Sequence, residues 1–458
     1  MYRSALKRPV FRIMELIERI KNTLPASLAE DATLLVALSG GADSVCLLLA
    51  LHELGYQVEA LHCNFELRGV ESDGDEAFCR RLCRAKGIAL SVRHFRTRSY
   101  ATRQGLSIEM AARRLRYGWF GEMCRQRGAA GVCVAHHRDD NIETLFLNLV
   151  RGTGLHGLTG MQTMSVQEGV VILRPLLEVS RSEIEDWLQQ RDQKWCTDST
   201  NLQEDAALRN LVRLRLMPLL ENINARAREN LSGDIRRLEE AERLYDEAVS
   251  QALTSLVTAD GSMDIARLKE SVARRTLLQE WLHPLGFNSK QISEIYDGLD
   301  GSSGSVWASP THRLLRDRGR LLLQATMPPL NSDEQVMPLG GLFTALSGKR
   351  LLIRRQVVNP STFVVPRDSS IACFDIEKLT FPLTIRPVRE GDRMHPFGLD
   401  GTRLVSDMMT DKKLSLFEKE RQLVVLSGEK IVWLVGQRVA ADFEVDDHTR
   451  HVMTIHVL

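Results

Sequence analysis

The sequence has almost no net charge: 60 Lys and Arg stand against 59 Asp and Glu, a formal +1 over 458 residues. Bulk electrostatics therefore says nothing of a nucleic-acid partner, and any such claim must rest on local clusters. Cys-x-x-Cys pairs are also missing. The eight cysteines are Cys46, Cys63, Cys79, Cys83, Cys124, Cys133, Cys196 and Cys373. Cys79 and Cys83 have helical spacing and, with Cys63, no fourth ligand, which describes buried or idle thiols better than a metal site. No apolar run approaches the ~18 residues needed to span a bilayer. Arg3, Lys7, Arg8 and Arg12 precede no apolar core of the kind a signal peptide needs. These absences point to a reduced, cytoplasmic protein. Nor is there an internal repeat or a low-complexity tract. What is present is ordinary globular material, 43% apolar and 26% charged, enough at about 100–200 residues per domain for some three domains.

The rest of the chain is organised around residues 34–49. Leu34-Leu35-Val36-Ala37-Leu38 is apolar without alternation, as suits a strand covered on both faces of a parallel sheet. Ser39-Gly40-Gly41-Ala42-Asp43-Ser44 follows, and the two glycines let the backbone turn sharply and a ligand approach it closely. Asp43 and Ser44 fall at the start of a helix, where N–H groups lack intrahelical partners and the dipole adds roughly half a positive charge. Such a loop cradles phosphate. Half a charge is small beside a nucleoside triphosphate, so a divalent cation is expected, with Asp43 the carboxylate best placed to hold it. The loop lacks the Gly-Lys-Ser/Thr ending of a Walker motif and the spaced glycines of a dinucleotide fingerprint. Ser-Gly-Gly-x-Asp-Ser resembles instead the pyrophosphate loop of enzymes that split ATP into AMP and pyrophosphate.

Further along, the pattern predicts a leading helix over 14–24, strands over 57–63, 89–95 and 131–135, and helices over 73–86, 107–127 and 139–150. Gly87 and Gly128 are the expected helix stops and Ser107 an N-cap. Strands alternating with helices imply right-handed crossovers, a parallel sheet, and a ligand beyond the carboxyl ends of its strands. From about residue 206 helical periodicity dominates through 299. Residues 301–305 form a turn-rich break, and Pro328-Pro329 and Gly340-Gly341 bracket a linker. Short runs at 351–355, 363–365 and 431–435 suggest a small β-rich terminal domain.

Chemistry concentrates in a few places. His136-His137-Arg138-Asp139-Asp140-Asn141-Ile142-Glu143-Thr144 sits where a strand gives way to a helix, and Asp140 and Glu143, three apart, share one face. Two carboxylates there can hold magnesium or grip the ammonium of an amine. Acids in the first turn also suit the helix dipole, but capping does not require the adjacent histidines. Arg151-Gly152-Thr153-Gly154 offers backbone amides and a guanidinium, as a second phosphate contact, a lid or a hinge. Residues 103–127 carry six arginines against two glutamates, and Arg113 and Arg116, three apart, can face one ligand or simply solvent. Leu208-Arg209-Asn210-x-x-Arg213 precedes Leu216-Met217-Pro218 and reads equally as a charged helix surface. Lys349, Arg350, Arg354 and Arg355 lie in a stretch without acids, and Arg313, Arg316, Arg318 and Arg320 are offset only by Asp317. Clusters like these can track phosphates.

Taken in order, the Ser39–Ser44 loop, His62-x-Asn64, Leu67-Arg68-Gly69-x-Glu71-Ser72-Asp73, Arg116-Tyr117, His136-His137-x-Asp139-Asp140-x-x-Glu143-Thr144, Arg151-Gly152-Thr153-Gly154 and Arg209-Asn210 resemble the tRNA(Ile)-lysidine synthetases of the pyrophosphate-loop ATPase family. The likeness resumes at Ile385-Arg386-Pro387 through Gly398 and at Val432-Trp433-x-Val435-Gly436-x-Arg438. Relatives often read His-x-Asn-His-Gly-Leu-Arg where this chain has Phe65-Glu66 after Asn64, and paired lysines where it has Thr402-Arg403. The resemblance implies an α/β fold, with a Rossmann-like parallel sheet of the adenine nucleotide alpha hydrolase kind, a helical domain and a small α+β domain. The corresponding boundaries are 1–222 for ATP binding and catalysis, 223–335 for a helical tRNA-contacting domain and 336–458 for a C-terminal tRNA-binding domain.

It also implies the reaction. ATP adenylates the C2 oxygen of the cytidine at the first anticodon position of an isoleucine tRNA with a CAU anticodon. L-lysine then displaces AMP to give lysidine, changing AUG reading to AUA. By resemblance, ATP meets Ser39, Gly40, Gly41, Ala42, Asp43, Ser44, His62, Asn64, Gly152 and Gly154, and Asp43 carries Mg2+. Asp140 and Glu143 bind lysine, and with Asp43, Arg113 and Arg209 they form the catalytic set. Arg116, Arg209, Arg393 and Arg403 contact tRNA, and a homodimer is one assembly the reading admits. The rivals are another adenylating enzyme with this loop, such as a tRNA thiolase or a small-molecule amide ligase, and a nucleotide-binding module that never turns over. A thiolase should show cysteine pairs. A small-molecule ligase has little use for some 240 residues beyond the catalytic domain. A binding module leaves His136–Glu143 unexplained.

Overall fold

Five successive apolar residues cannot show one face to water, so the strand they form must be covered on both sides. The computed structural model describes residues 7–29, 31–196, 204–345, 347–398 and 401–458; Arg3 lies outside them. The chain divides into two units, 1–246 and 247–458. The first begins α1 (Lys7–Thr23), β1 (Thr33–Ala37), α2 (Ala42–Glu53), β2 (Gln57–Asn64), α3 (Val70–Lys86) and β3 (Ala89–His94). It continues α4 (Thr97–Gln104), α5 (Ile108–Arg127), β4 (Gly131–Cys133), α6 (Arg138–Arg151), α7 (Leu155–Leu158), β5 (Met164–Gln167), β6 (Val170–Leu173) and α8 (Arg181–Gln189). The sheet runs β3-β2-β1-β4-β6-β5, parallel except for the β5 edge. Leu34 and Val36 enter a core with α1, α2 and α8, while Leu35 enters the opposite core with Tyr117, Trp119 and Phe120 of α5.

Local chemistry sets most boundaries as the sequence predicts. Ser107 Oγ accepts from Met110 N at 3.2 Å, and Gly87 and Gly128 end their helices in the left-handed conformation. The sequence expectations omit α4, α7, α8 and the β5–β6 hairpin, whose turn puts Glu168 and Gly169 both at positive φ, the backbone that a tight two-residue connection requires.

After the sheet come α9 (Glu204–Leu211), a single π turn (Val212–Leu216), α10 (Met217–Ile223) and the long α11 (Ala227–Leu256). Pro218 explains the π turn. Proline has no N–H for the residue four back and its ring crowds that carbonyl, and here Met217 N bonds instead to Val212 O, five back. Val212, Met217 and Ile235 pack on Ile142 and Leu145 of α6.

The second unit has two cores. One joins the end of α11 to β7 (Ser262–Asp264), α12 (Ile265–Glu270), α13 (Arg274–Leu282), α14 (Ser289–Asp297), β8 (Val306–Ala308), β9 (His312–Asp317) and β10 (Arg320–Ala325). The predicted helical stretch thus closes on an antiparallel sheet, β7-β10-β9-β8. The other core surrounds Trp433 and Phe374, both fully buried. Its strands are β11 (Gln335–Val336), β12 (Gly341–Thr344), β13 (Arg350–Val357), β14 (Ile371–Asp375), β15 (Leu383–Pro387), β16 (Arg393–Met394) and β17 (Arg403–Leu404), then α15 (Val405–Asp411) and α16 (Leu416–Glu420), then β18 (Leu423–Ser427), β19 (Lys430–Leu434), β20 (Arg438–Val439) and β21 (His451–Val457). The run at 363–365 forms no strand. Among the described residues no helix is long and apolar enough to cross a membrane.

One polar knot ties the start of α6 to its neighbours. Asp139 accepts from the Arg181 amide at 2.8 Å and from Arg228 Nη1 of α11 at 2.8 Å, and Arg228 Nε reaches Glu221 Oε1 at 2.5 Å. Burial alone would raise the Asp139 pKa, but these donors overcome it and hold the carboxyl below its ordinary range. A depressed carboxylate stabilises the fold above its unfolded pKa of ~3.9 and ceases to do so as pH falls through its lower folded value. Arg228→Met should therefore cost about 2 kcal/mol at pH 7, less than a fully buried pair because Arg228 is partly exposed. Thermal unfolding should fall by about 5 °C, and the gap to wild type should narrow as the pH is lowered toward 3. An unchanged melting temperature at pH 7 would remove the knot from the fold's support.

Candidate active site

Strand order reverses between β1 and β4, since β1 leads outward to β2 and β3 while β4 leads to β6 and β5. Connections leave in opposite directions at such a point and open a crevice beyond the carboxyl ends of the strands. The loop after β1 and the turn after β4 meet there.

The first is folded around one hydroxyl. Ser44 Oγ accepts from Ser39 N at 3.1 Å and Gly40 N at 3.2 Å and donates to Gly41 O at 3.0 Å. Ser39 Oγ accepts from Gly41 N at 3.3 Å. The amides of Ser39, Gly40 and Gly41 are thus engaged in shaping the loop. The anion site that remains is the first turn of α2, whose N-cap is Gly41 with no side chain to cover it. Gly40 is required twice over: its φ is +98°, and a Cβ would meet the Sγ atoms of Cys196 and Cys79 at 3.3 and 3.4 Å. His62, buried, donates from Nδ1 to Leu38 O at 2.8 Å and so pins the end of β1; burial draws its pKa down.

The second supplies acids. His137 itself is the N-cap of α6, correcting the inference that the histidines are dispensable for capping. Its Nδ1 accepts from Asp140 N at 3.4 Å, and Asp140 Oδ2 accepts from His137 N at 3.1 Å. With Nδ1 accepting, Nε2 carries the proton and lies 3.4 Å from Asp140 Oδ2 and 3.9 Å from Asp43 Oδ1. The loop and the acidic turn are therefore in contact through one imidazole. His136 beside it has its Nδ1 buried without a partner among the described residues, and burial depresses its pKa to about 4.

Arginines from other elements meet these acids. Arg181, the first residue of α8, pairs through Nη1 with Asp43 Oδ2. Arg213, on the π turn, donates from Nε and Nη2 to Glu143 Oε1 and Oε2 at 2.7 and 3.1 Å, and its Nη2 lies 3.4 Å from Asp140 Oδ1. Burial still pushes the carboxyls of Asp43 and Glu143 up, against the pull of His137 and Arg181 on the one and Arg213 on the other. Asp43 Oδ1 is buried with no hydrogen-bond partner. An orphaned carboxylate oxygen beside an anion site fits a cation. No three candidate ligands are grouped among the described residues, which suits an ion that takes one or two carboxylates and completes its shell with phosphate oxygens and water, as Mg2+ does.

Not every residue singled out from the sequence enters this crevice. Asn64 is bonded to Glu76 at 3.1 Å and Asp73 at 3.4 Å on α3. Arg113 and Arg116 do not face one partner: Arg113 stacks on Tyr117 and donates to Gln167 at 2.7 Å, while Arg116 lies over Phe65. Arg209, on α9, lies near enough to His136 to help depress its pKa. Gly152 caps the end of α6 and Gly154 the start of α7. In the second unit Arg393 and Arg403 sit on the paired strands β16 and β17, and Arg403 bonds Asp411 at 3.1 Å. The run around Arg313 is largely neutralised, since Arg313 pairs with Glu420, Arg318 with Asp317, and Arg316 is buried against Leu299 O. Sequence reading missed Arg181, Arg228 and the partners of Arg213. The one local signal was the capping box Ser180-x-x-Glu183 that opens α8 and sets Arg181 at its mouth.

Comparison with known proteins places the chain in a family. Family models match residues 13–220 as a PP-loop domain, 259–327 as a TilS substrate binding domain and 383–456 as a TilS substrate C-terminal domain. The chain is 42% identical over 447 residues to the tRNA(Ile)-lysidine synthase of Bacteroides thetaiotaomicron, covering 98% of this chain and 99% of the relative. It is 41% identical over 434 residues to that of Parabacteroides distasonis, with 94% and 97% covered. The enzyme of Dehalococcoides mccartyi is 30% identical over 92% of the chain. With identity at this level along nearly its whole length, and a pyrophosphate loop and acidic turn in contact, the chain belongs to the tRNA(Ile)-lysidine synthase family.

Proposed function

We propose that this protein ligates L-lysine to C2 of the cytidine at the first anticodon position of an isoleucine tRNA bearing CAU, through an adenylated cytidine, releasing pyrophosphate and AMP. The observation that carries the reading is the convergence at His137, which joins the loop carboxylate Asp43 to Asp140 of the acidic turn. A nucleotide at the mouth of α2 lies beside acids that handle an amine. The C2 oxygen is a poor leaving group. Its attack on the α-phosphorus breaks the bond to pyrophosphate and converts it to a good one. The amine then forms a bond to C2 and AMP departs with the oxygen. Lysine arrives as an ammonium ion and must lose a proton to attack, and Asp140 is the carboxylate near enough to the loop to bind it and take that proton.

Asp43 holds Mg2+ in this reading, and the ion when bound offsets phosphate charge. Arg181, paired with Asp43 Oδ2, works against the effect of burial and favours the ionised carboxylate. Arg209 faces the same crevice from α9 and steadies phosphate or the tRNA, with Arg113 and Arg116 farther out on α5. Residues 1–222 carry the chemistry, while 223–335 and 336–458 hold the tRNA, Arg393 and Arg403 among their contacts. The working location is the cytoplasm.

Purified protein supplied with ATP, lysine and this tRNA should form AMP and pyrophosphate in an RNA-dependent manner, and mass analysis of the anticodon should find lysidine. Release of ADP instead of AMP would reject the reaction. Asp43→Ala should lower AMP formation by at least about a hundredfold with an unchanged circular dichroism spectrum. A fully active variant would take Asp43 out of the metal role.

A further inference from the structure

Glu143 is 2% exposed in its side chain, and both its oxygens are taken by one guanidinium in the parallel two-pronged geometry that arginine and carboxylate share. No second planar cation can use that carboxylate in the same way. Asp140 is differently placed. Its Oδ2 is committed to the His137 amide, and its Oδ1 meets Arg213 only at 3.4 Å. What Asp140 offers is therefore a single oxygen, an acceptor for a point-like donor and a poor match for a fork that needs two coplanar oxygens. Arg213 sits in the π turn forced by Pro218, and that turn is nailed at both ends by the buried Val212 and Met217.

We propose that Arg213 determines amine specificity: by occupying the two-pronged acceptor of Glu143 it leaves Asp140 as a one-point acceptor, so the site takes an ammonium and refuses a guanidinium. This rests on the reading of Asp140 as the acid that handles the amine. Lysine and arginine carry the same charge at neutral pH, have side chains of similar length and share a backbone, so net charge cannot separate them. Head-group shape can. Glu143 acts through Arg213 as a positioning residue, and Asp140 touches the amine.

The test is competition. With wild-type protein, ATP, the CAU isoleucine tRNA and lysine at its KM, a hundredfold excess of L-arginine should leave the lysidine rate within twofold. In Arg213→Ala the fork on Glu143 is open, and L-arginine should become a competitive inhibitor, its inhibition constant falling at least tenfold relative to wild type. Arg213→Met, which keeps bulk at the position and removes both donors from Glu143, carries the same comparison if the alanine variant fails to fold. Where a folded variant no longer uses lysine, equilibrium dialysis of labelled L-arginine and L-lysine against the same protein gives the ratio directly. Arginine inhibiting wild type as strongly as the variants overturns the proposal, as do folded variants that still refuse arginine. Failure of the underlying reading shows separately, because Asp140→Asn would then leave the KM for lysine unchanged whatever arginine does.

Discussion

Four carboxylates, Asp43, Asp139, Asp140 and Glu143, are gathered at one crevice, and everything else about the site follows from making that bearable. Two unit charges about 4 Å apart repel by about 4 kcal/mol at an effective dielectric of ~20, so such a group cannot stay ionised and buried unaided. Three guanidiniums answer it. Arg181 meets Asp43, Arg213 meets Glu143 and Asp140, and Arg228 meets Asp139. His137 bridges the acids of the two loops without adding a carboxylate of its own.

The fold accounts for why the acids and the arginines arrive together. Parallel strands end on the same edge, so the loops after β1 and β4 are neighbours once β1 and β4 pair. Helices that follow the last strand of the sheet then bring later chain back over that edge. α8 delivers Arg181 at its N-terminus, α11 delivers Arg228, and the π turn between α9 and α10 delivers Arg213. A loop of a few residues near position 40 and an acidic turn near 140 thus depend on segments far along the chain for their electrostatic balance.

That dependence also marks what could be read from the sequence. Ser39–Ser44, the Ser107 cap and the Gly87 and Gly128 stops are legible because their chemistry closes within a few residues. The paired face of Asp140 and Glu143 follows from helical spacing. Arg181 is 138 positions from Asp43, and no spacing rule spans that distance. Arg213 is harder still. A regular helix would set it one turn above Arg209, but the π turn widens the backbone and re-aims it, and that turn is a response to Pro218 that periodicity does not encode. The arginines around Arg313 fail in the opposite sense. They look like a phosphate track in one dimension, yet Glu420, 107 residues later, takes Arg313 in three.

An exposure gradient across the cluster bears on how a polyanion is admitted beside acids. The side chains of Arg181 and Arg213 are 42% and 46% exposed, against 24% for Asp43, 16% for Asp140 and 2% for Glu143. Guanidinium faces outward and carboxylate inward. An entering triphosphate therefore meets arginine and the open first turn of α2, whose dipole contributes about half a positive charge, before it meets any acid. A cation entering the crevice must pass those guanidiniums before it meets Asp140, against their repulsion. Phosphate bound in the crevice lowers that repulsion, because it neutralises the outer guanidiniums first. Charge order alone thus favours the entry of an anion into this crevice ahead of a cation.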